Sequence, residues 1–151
     1  MRHKRLTVPA LISAAALGAA SPAGATASLT CAADDRQLSF EFLGNMGSGP
    51  GASIQVIAGE IKLKALRGKF AATEFKIEPA HLAAQWNLGR ELRIGLSPDD
   101  VAKVGIYLAV IAERTKSGGD LNRYRGSYIA KVSHAGGETE LKGKLKDCSA
   151  G

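Results

Sequence analysis

The chain has 151 residues, with 20 Lys and Arg against 14 Asp and Glu and a formal net charge of +6. That length suits a single domain. Three of the basic residues sit in an N-terminal leader; without them the charge is +3, which points to no nucleic-acid partner.

Residues 1–27 read as a cleavable secretory signal peptide. Met1-Arg2-His3-Lys4-Arg5 is basic, an apolar stretch runs from Leu6 to Ala20, and small residues close on Ala25-x-Ala27. The apolar part is shorter than the roughly 20 residues a spanning helix needs. Arg2 and Arg5 are not adjacent, so there is no twin-arginine signal, and Ser28 and Thr30 do not make a lipidation motif before Cys31. Losing Arg2, Lys4 and Arg5 takes 20 basic residues to 17 against 14 acidic, hence the +3. The expected product is one β domain, 28–151, periplasmic or secreted, with no further transmembrane segment.

Cys31 and Cys148 are the only cysteines. An even count in an exported chain predicts one disulfide, here joining the first strand to the last. One detail of parity complicates it. Cys148 has the spacing of the outward Lys142, Lys144 and Lys146, so either the last strand ends or bulges near Asp147, or the bridge lies outside.

Period-two alternation dominates residues 28–151. Leu38, Phe40 and Phe42 alternate with polar residues, as do Ile61, Leu63 and Ala65, then Phe75 and Ile77, then Leu92, Ile94 and Leu96, and finally Leu141 and Leu145. Turn chemistry falls between them at 47–51, 67–69, 87–90, 117–120 and 135–137. The expected fold is all-β, a single antiparallel meander of about eight or nine strands forming a sandwich or small barrel. Ser97-Pro98-Asp99-Asp100 carries helix-start signals, so one helical turn is predicted at Pro98–Ala102. The uncharged run Val104–Ala112 then reads as a central strand buried on both faces.

The chain has few residues arranged for chemistry. It carries no nucleophile elbow and no phosphate loop, and the motifs imply no metal or cofactor. His81 and His134 stand 53 positions apart in the sequence, each read as a loop or strand-end histidine. Asp34-Asp35 and Asp99-Asp100 are neighbours whose side chains diverge on an extended chain, so adjacency makes no catalytic dyad. Two groups have the colour of binding. Basic residues recur at Lys62, Lys64, Arg67 and Lys69, at Arg123 and Arg125, and at Lys142, Lys144 and Lys146. Alternate lysines on a strand make a positive stripe, suited to an anionic envelope component or a protein partner, and equally to guarding sheet edges. Trp86, Tyr107, Tyr124 and Tyr128 are the second group, with Tyr124 and Tyr128 placed to line a groove beside small Gly126 and Ala130. These patterns point away from an enzyme and toward an exported binding or structural protein. Two alternatives stand beside it: a hydrolase using His81 or His134 with carboxylates from other strands, and a barrel that carries an apolar ligand.

Overall fold

Alternation of residue type becomes alternation of burial. The computed structural model describes residues 26–47, 51–64, 70–115 and 121–151. Residues 1–25 of the predicted signal, residues 48–50 of the loop predicted at 47–51, and the loops predicted at 67–69 and 117–120 lie outside these. Strands β1 (Ala27–Asp34), β2 (Leu38–Met46), β3 (Ile54–Leu63) and β4 (Glu74–Ile77) lead to a 3-10 turn at Pro79–His81. Strands β5 (Leu82–Leu88), β6 (Glu91–Leu96), β7 (Gly105–Arg114), β8 (Asn122–His134), β9 (Gly137–Lys144) and β10 (Asp147–Ala150) come after it. On β2, Leu38, Phe40, Phe42 and Met46 are buried while Glu41, Leu43 and Asn45 face out.

All ten strands join one antiparallel sheet in the order β4-β3-β2-β1-β10-β8-β7-β6-β5, with β9 beside β8. The sheet is curled into a half-barrel, so among the described residues there is no second sheet and no sandwich. The curl follows from connectivity. β4 and β5 lie at opposite edges of the sheet, yet Ile77 and Leu82 are five residues apart, a span of at most about 18 Å. The edges must therefore approach each other. The Ile54 N–H donates across the gap to Gln85 Oε1 at 2.5 Å.

Bending of this kind needs positions without a side chain. Gly59 faces inward opposite Phe42, and a Cβ there would lie 2.7 Å from the Phe42 Cα. Gly126 faces inward opposite Ala112, and its Cβ would lie 2.6 Å from the Ala112 Cα. At both points one strand presses on the backbone of its neighbour, a contact only glycine permits.

The meander holds within β1–β4 and within β5–β9. Strand β10 departs from it, inserting between β1 and β8. The long strand β8 pairs with β9 over Ser127–His134 and with β10 at Asn122 and Arg123. Between them the chain kinks at Leu145 and Lys146, whose N–H groups donate to the Gly126 and Ala32 carbonyls. The kink resets parity: Leu145 packs on the core, Lys146 and Asp147 are exposed, and Cys148 turns inward. Cys31 lies directly opposite Cys148, with Cα atoms 4.0 Å apart, and the disulfide they form is wholly buried.

The helical turn expected at Pro98–Ala102 is absent. Val101 and Val104 exchange backbone hydrogen bonds of 2.9 and 3.0 Å across a tight turn, with Ala102 and Lys103 in the left-handed region. Upstream, the Ser97 N–H donates to the His81 carbonyl. This pairing of two β-branched residues in extended form outweighs the local helix-start signal. β7 forms as expected but is buried on one face only, because among the described residues nothing covers the convex side of the sheet.

Candidate functional site

The convex side of β5–β7 carries four exposed large apolar side chains, Trp86, Leu88, Tyr107 and Ile111. Register builds it. Trp86, Arg93, Ile111, Ser127 and Lys144 lie side by side across five neighbouring strands. The next row is Ala84, Gly95, Ala109, Ile129 and Lys142. Ala84, Gly95 and Ala109 floor a hollow of about 340 Å³, with Trp86 and Ile111 on one side and Tyr107 on the other.

Two local features make this hollow. A bulge between Leu82 and Ala84 shifts the register of β5 by one residue. Leu82 pairs with buried Leu96, but after the bulge Trp86 pairs with outward Arg93, so the indole turns to solvent, 52% exposed. Gly95 is the second. A Cβ there would meet the Tyr107 hydroxyl oxygen first, then its Cζ at 3.1 Å and the Ala84 Cβ at 3.2 Å, so the phenol end of Tyr107 reaches over the glycine. Tyr107 stays 39% exposed.

A second hollow, about 350 Å³, opens beside the kink between β9 and β10. Arg123, Arg125, Lys144 and Lys146 line it, with Asp147 as its acid. Among the described residues no carboxylate pairs with Arg123, Arg125 or Lys144, whereas Lys146 lies in the field of Asp34. A third hollow, between Leu43, Val56 and Ala58 on the outer face of β2 and β3, has no aromatic lining.

The residues singled out from sequence divide sharply. Trp86 is in the first hollow and Lys144 in the second. Lys62 pairs with Glu60 at 2.7 Å, Lys64 with Asp34, and Lys142 with Glu140 at 2.6 Å, so these lysines stand in ion pairs on the outer face. The Lys64 ammonium holds the Asp34 carboxyl below its ordinary range, Lys142 does the same for Glu140, and Glu60 raises Lys62.

Tyr124 lies at the wall of the second hollow, and Tyr128 lines none of the three. They point into the concave core, Tyr124 8% exposed and Tyr128 fully buried, because the face of β8 they share is the one the curl closes over. The Tyr128 hydroxyl donates to Asp35 Oδ2 at 2.6 Å, and the Gln37 and Leu38 N–H groups donate to Oδ1 at 2.7 and 3.1 Å. Burial works against the Asp35 charge, yet these donors outweigh it and hold the carboxyl below its ordinary range. For Tyr128, burial first and the Asp35 charge second push the phenol well above its usual value. Burial likewise raises Tyr124, opposed by Arg114. As the alternation of neighbours required, Asp34 and Asp35 diverge, one to a surface lysine and the other to a core tyrosine.

The histidines are held by their own turns. His81 Nδ1 accepts the Glu78 N–H at 3.0 Å, which leaves the proton on Nε2, 3.5 Å from Asp99 Oδ2. His134 Nδ1 accepts the Gly136 N–H at 3.1 Å, so Nε2–H faces Thr139 Oγ1 at 3.1 Å, and the ring packs on Phe70. Among the described residues no group of three His, Cys, Asp or Glu is placed to hold a metal ion.

Sequence reasoning misses the company Trp86 keeps. It places Tyr107 and Ile111 on a strand buried on both faces, and Ala84, Gly95 and Ala109 carry no signal. The spacing of Tyr107, Ala109 and Ile111 does mark one face of a strand; only the single-layer architecture says that this face is uncovered. No protein-family model matches this chain, and no curated protein or solved structure shows significant similarity to it.

Proposed function

We propose that this chain is an extracytoplasmic binding protein that holds a ring-shaped ligand, a sugar residue, face-on in the hollow between Trp86 and Tyr107. The observation that carries the reading is a pair of exposed aromatic side chains, Trp86 and Tyr107, set around small residues from three strands. A sheet surface that merely needs solvating does not leave a Trp, a Tyr and an Ile around one hollow. Aromatic side chains with an apolar body and a polar tip suit a ligand that is apolar on its ring faces and hydroxylated at its edge.

Export belongs to the same proposal. The buried Cys31–Cys148 bond is compatible with an oxidising compartment. β1 begins at Ala27, so cleavage after Ala27 removes one residue from its pairing with β2. Two observations favour binding over the alternatives. At both His81 and His134 the lone pair a general base would use already accepts a backbone N–H. The concave face that a carrier would leave open holds Phe40, Phe42, Phe75 and Tyr128, with Phe40 edge-on to Tyr128 at 5.7 Å.

Trp86 is the only tryptophan in the chain, so its emission reports on the hollow directly. Titration with soluble oligosaccharides is expected to give a saturable change in that emission, with calorimetric binding lost in Trp86→Ala and Tyr107→Ala. Unchanged emission across neutral and acidic oligosaccharides at millimolar concentration would defeat the proposal.

A further inference from the structure

We infer that the ligand is an acidic polysaccharide, whose rings lie over the Trp86 hollow and whose negative groups are taken by Arg123, Arg125, Lys144 and Lys146. This rests on the ring-binding proposal and names its substrate class.

The two hollows are neighbours on one face. Ile111, at the wall of the aromatic hollow, lies opposite Ser127, and Ser127 lies opposite Lys144, at the wall of the cationic one. Two strand spacings, about 10 Å, separate those walls. A chain molecule crossing the strands from Trp86 toward Lys144 therefore meets stacking surface first and positive charge next. Charge complementarity sets the sign of the ligand: four cations line the hollow against one carboxylate, Asp147, and they still outnumber the acids when Asp34 near Lys146 and Glu113 opposite Arg125 are counted. Their guanidinium and ammonium groups suit carboxylate, sulfate or phosphate substituents.

Two other polyanions are less well matched. A bilayer surface is met by aromatic side chains that project from a protein, whereas the hydroxyl end of Tyr107 folds back over Gly95. A single-stranded nucleic acid stacks on aromatic faces too. The disulfide argues for a compartment where that partner is not the expected one.

The test uses polygalacturonate, the same polymer with its carboxyl groups methyl-esterified, a single-stranded oligonucleotide and anionic phosphatidylglycerol vesicles. Binding is followed by calorimetry and by Trp86 emission at two salt concentrations. Polygalacturonate is expected to bind about tenfold or more tighter than its neutral ester, and to weaken as salt rises. The double variant Arg125→Gln, Lys144→Gln is expected to lose about tenfold in affinity for polygalacturonate and to stay within about twofold for the ester. Both side chains are at the surface, and an unchanged thermal midpoint shows that the variant is folded.

Equal affinity for the acid and the ester, or an unaffected double variant, overturns the acidic assignment while leaving the ring-binding reading in place. Salt-dependent binding of polygalacturonate that bypasses Trp86 supports the cationic site and defeats the ring-stacking reading instead. Tighter binding of the oligonucleotide or the vesicles overturns the choice of a glycan.

Discussion

Gly95 and Gly126 both lack a side chain for a reason, and the reasons separate function from folding. At Gly95 the atoms nearest an added methyl belong to the movable end of Tyr107 and to the Ala84 Cβ. Gly95→Ala is expected to displace the Tyr107 ring and weaken ligand binding about tenfold, with stability held within about 1 kcal/mol. At Gly126 the nearest atoms are the Ile111 carbonyl and the Ala112 Cα, both backbone. Gly126→Ala is expected to cost about 3 kcal/mol, because a strand must move. Urea unfolding of the two variants beside a binding titration checks the contrast. Tyr128 contributes in a way that depends on pH. Its hydroxyl and the Asp35 carboxylate form a pair on the core side of the sheet, so Tyr128→Phe is expected to cost about 2 kcal/mol at neutral pH. Because Tyr128 is raised in the fold, its contribution is present below the ordinary value of 10.0 and lost as pH rises above it. Because Asp35 is lowered, its contribution is present above the ordinary 3.8 and lost as pH falls through the folded value. The wild type is therefore expected to lose stability above pH 10 more steeply than Tyr128→Phe, as followed by urea midpoints along a pH series.

At the scale of elements, β10 shows what holds a short strand in the middle of a sheet. It has four residues, and it bridges β1 to β8, so the sheet is continuous only through it. Four paired positions on β1 and two on β8 leave it marginal by hydrogen bonding alone. The buried Cys31–Cys148 bond clamps it, closing a separation of 117 residues. On the chain-entropy account a loop of that size contributes about 4–5 kcal/mol. The Cys31→Ala, Cys148→Ala variant is expected to lose about 4 kcal/mol in urea unfolding while keeping a β-type circular dichroism spectrum. Hydrogen exchange is expected to rise first in the β1–β10 ladder. A loss below about 1 kcal/mol would show that the ladder and the packing of Leu29 and Ala150 hold β10 without the bond. The β5 bulge acts in the opposite direction, toward function: one extra residue turns Trp86 from the core side to the surface.

For the molecule as a whole, the expected product is a secreted domain that starts at Ser28, and the intact mass of material exported by an expressing cell checks it. A protein retaining residues 1–27 in the membrane fraction, or a lipid on Cys31, would contradict it. What the residues determined without any coordinates was the class of fold and the pairing of the cysteines. Period-two alternation from Leu38 to Leu145 is a local property, since each apolar residue must find the same side of its own strand. The disulfide was legible because two cysteines at opposite ends of one domain have only each other; the parity conflict at Cys148 left open a break near Asp147 or an outside bridge, and the kink at Leu145 and Lys146 decides for the break. The half-barrel, the insertion of β10 and the uncovered face of β7 were not legible. They depend on which strand edges meet and on how many layers the chain builds, and neither is encoded within one strand. The same non-locality governed the site. Tyr124 and Tyr128 carry the residue type of a pocket, yet the closing curl buried them. Trp86 and Tyr107 were two aromatics among several until the bulge turned Trp86 outward and register set both around small residues from three different strands.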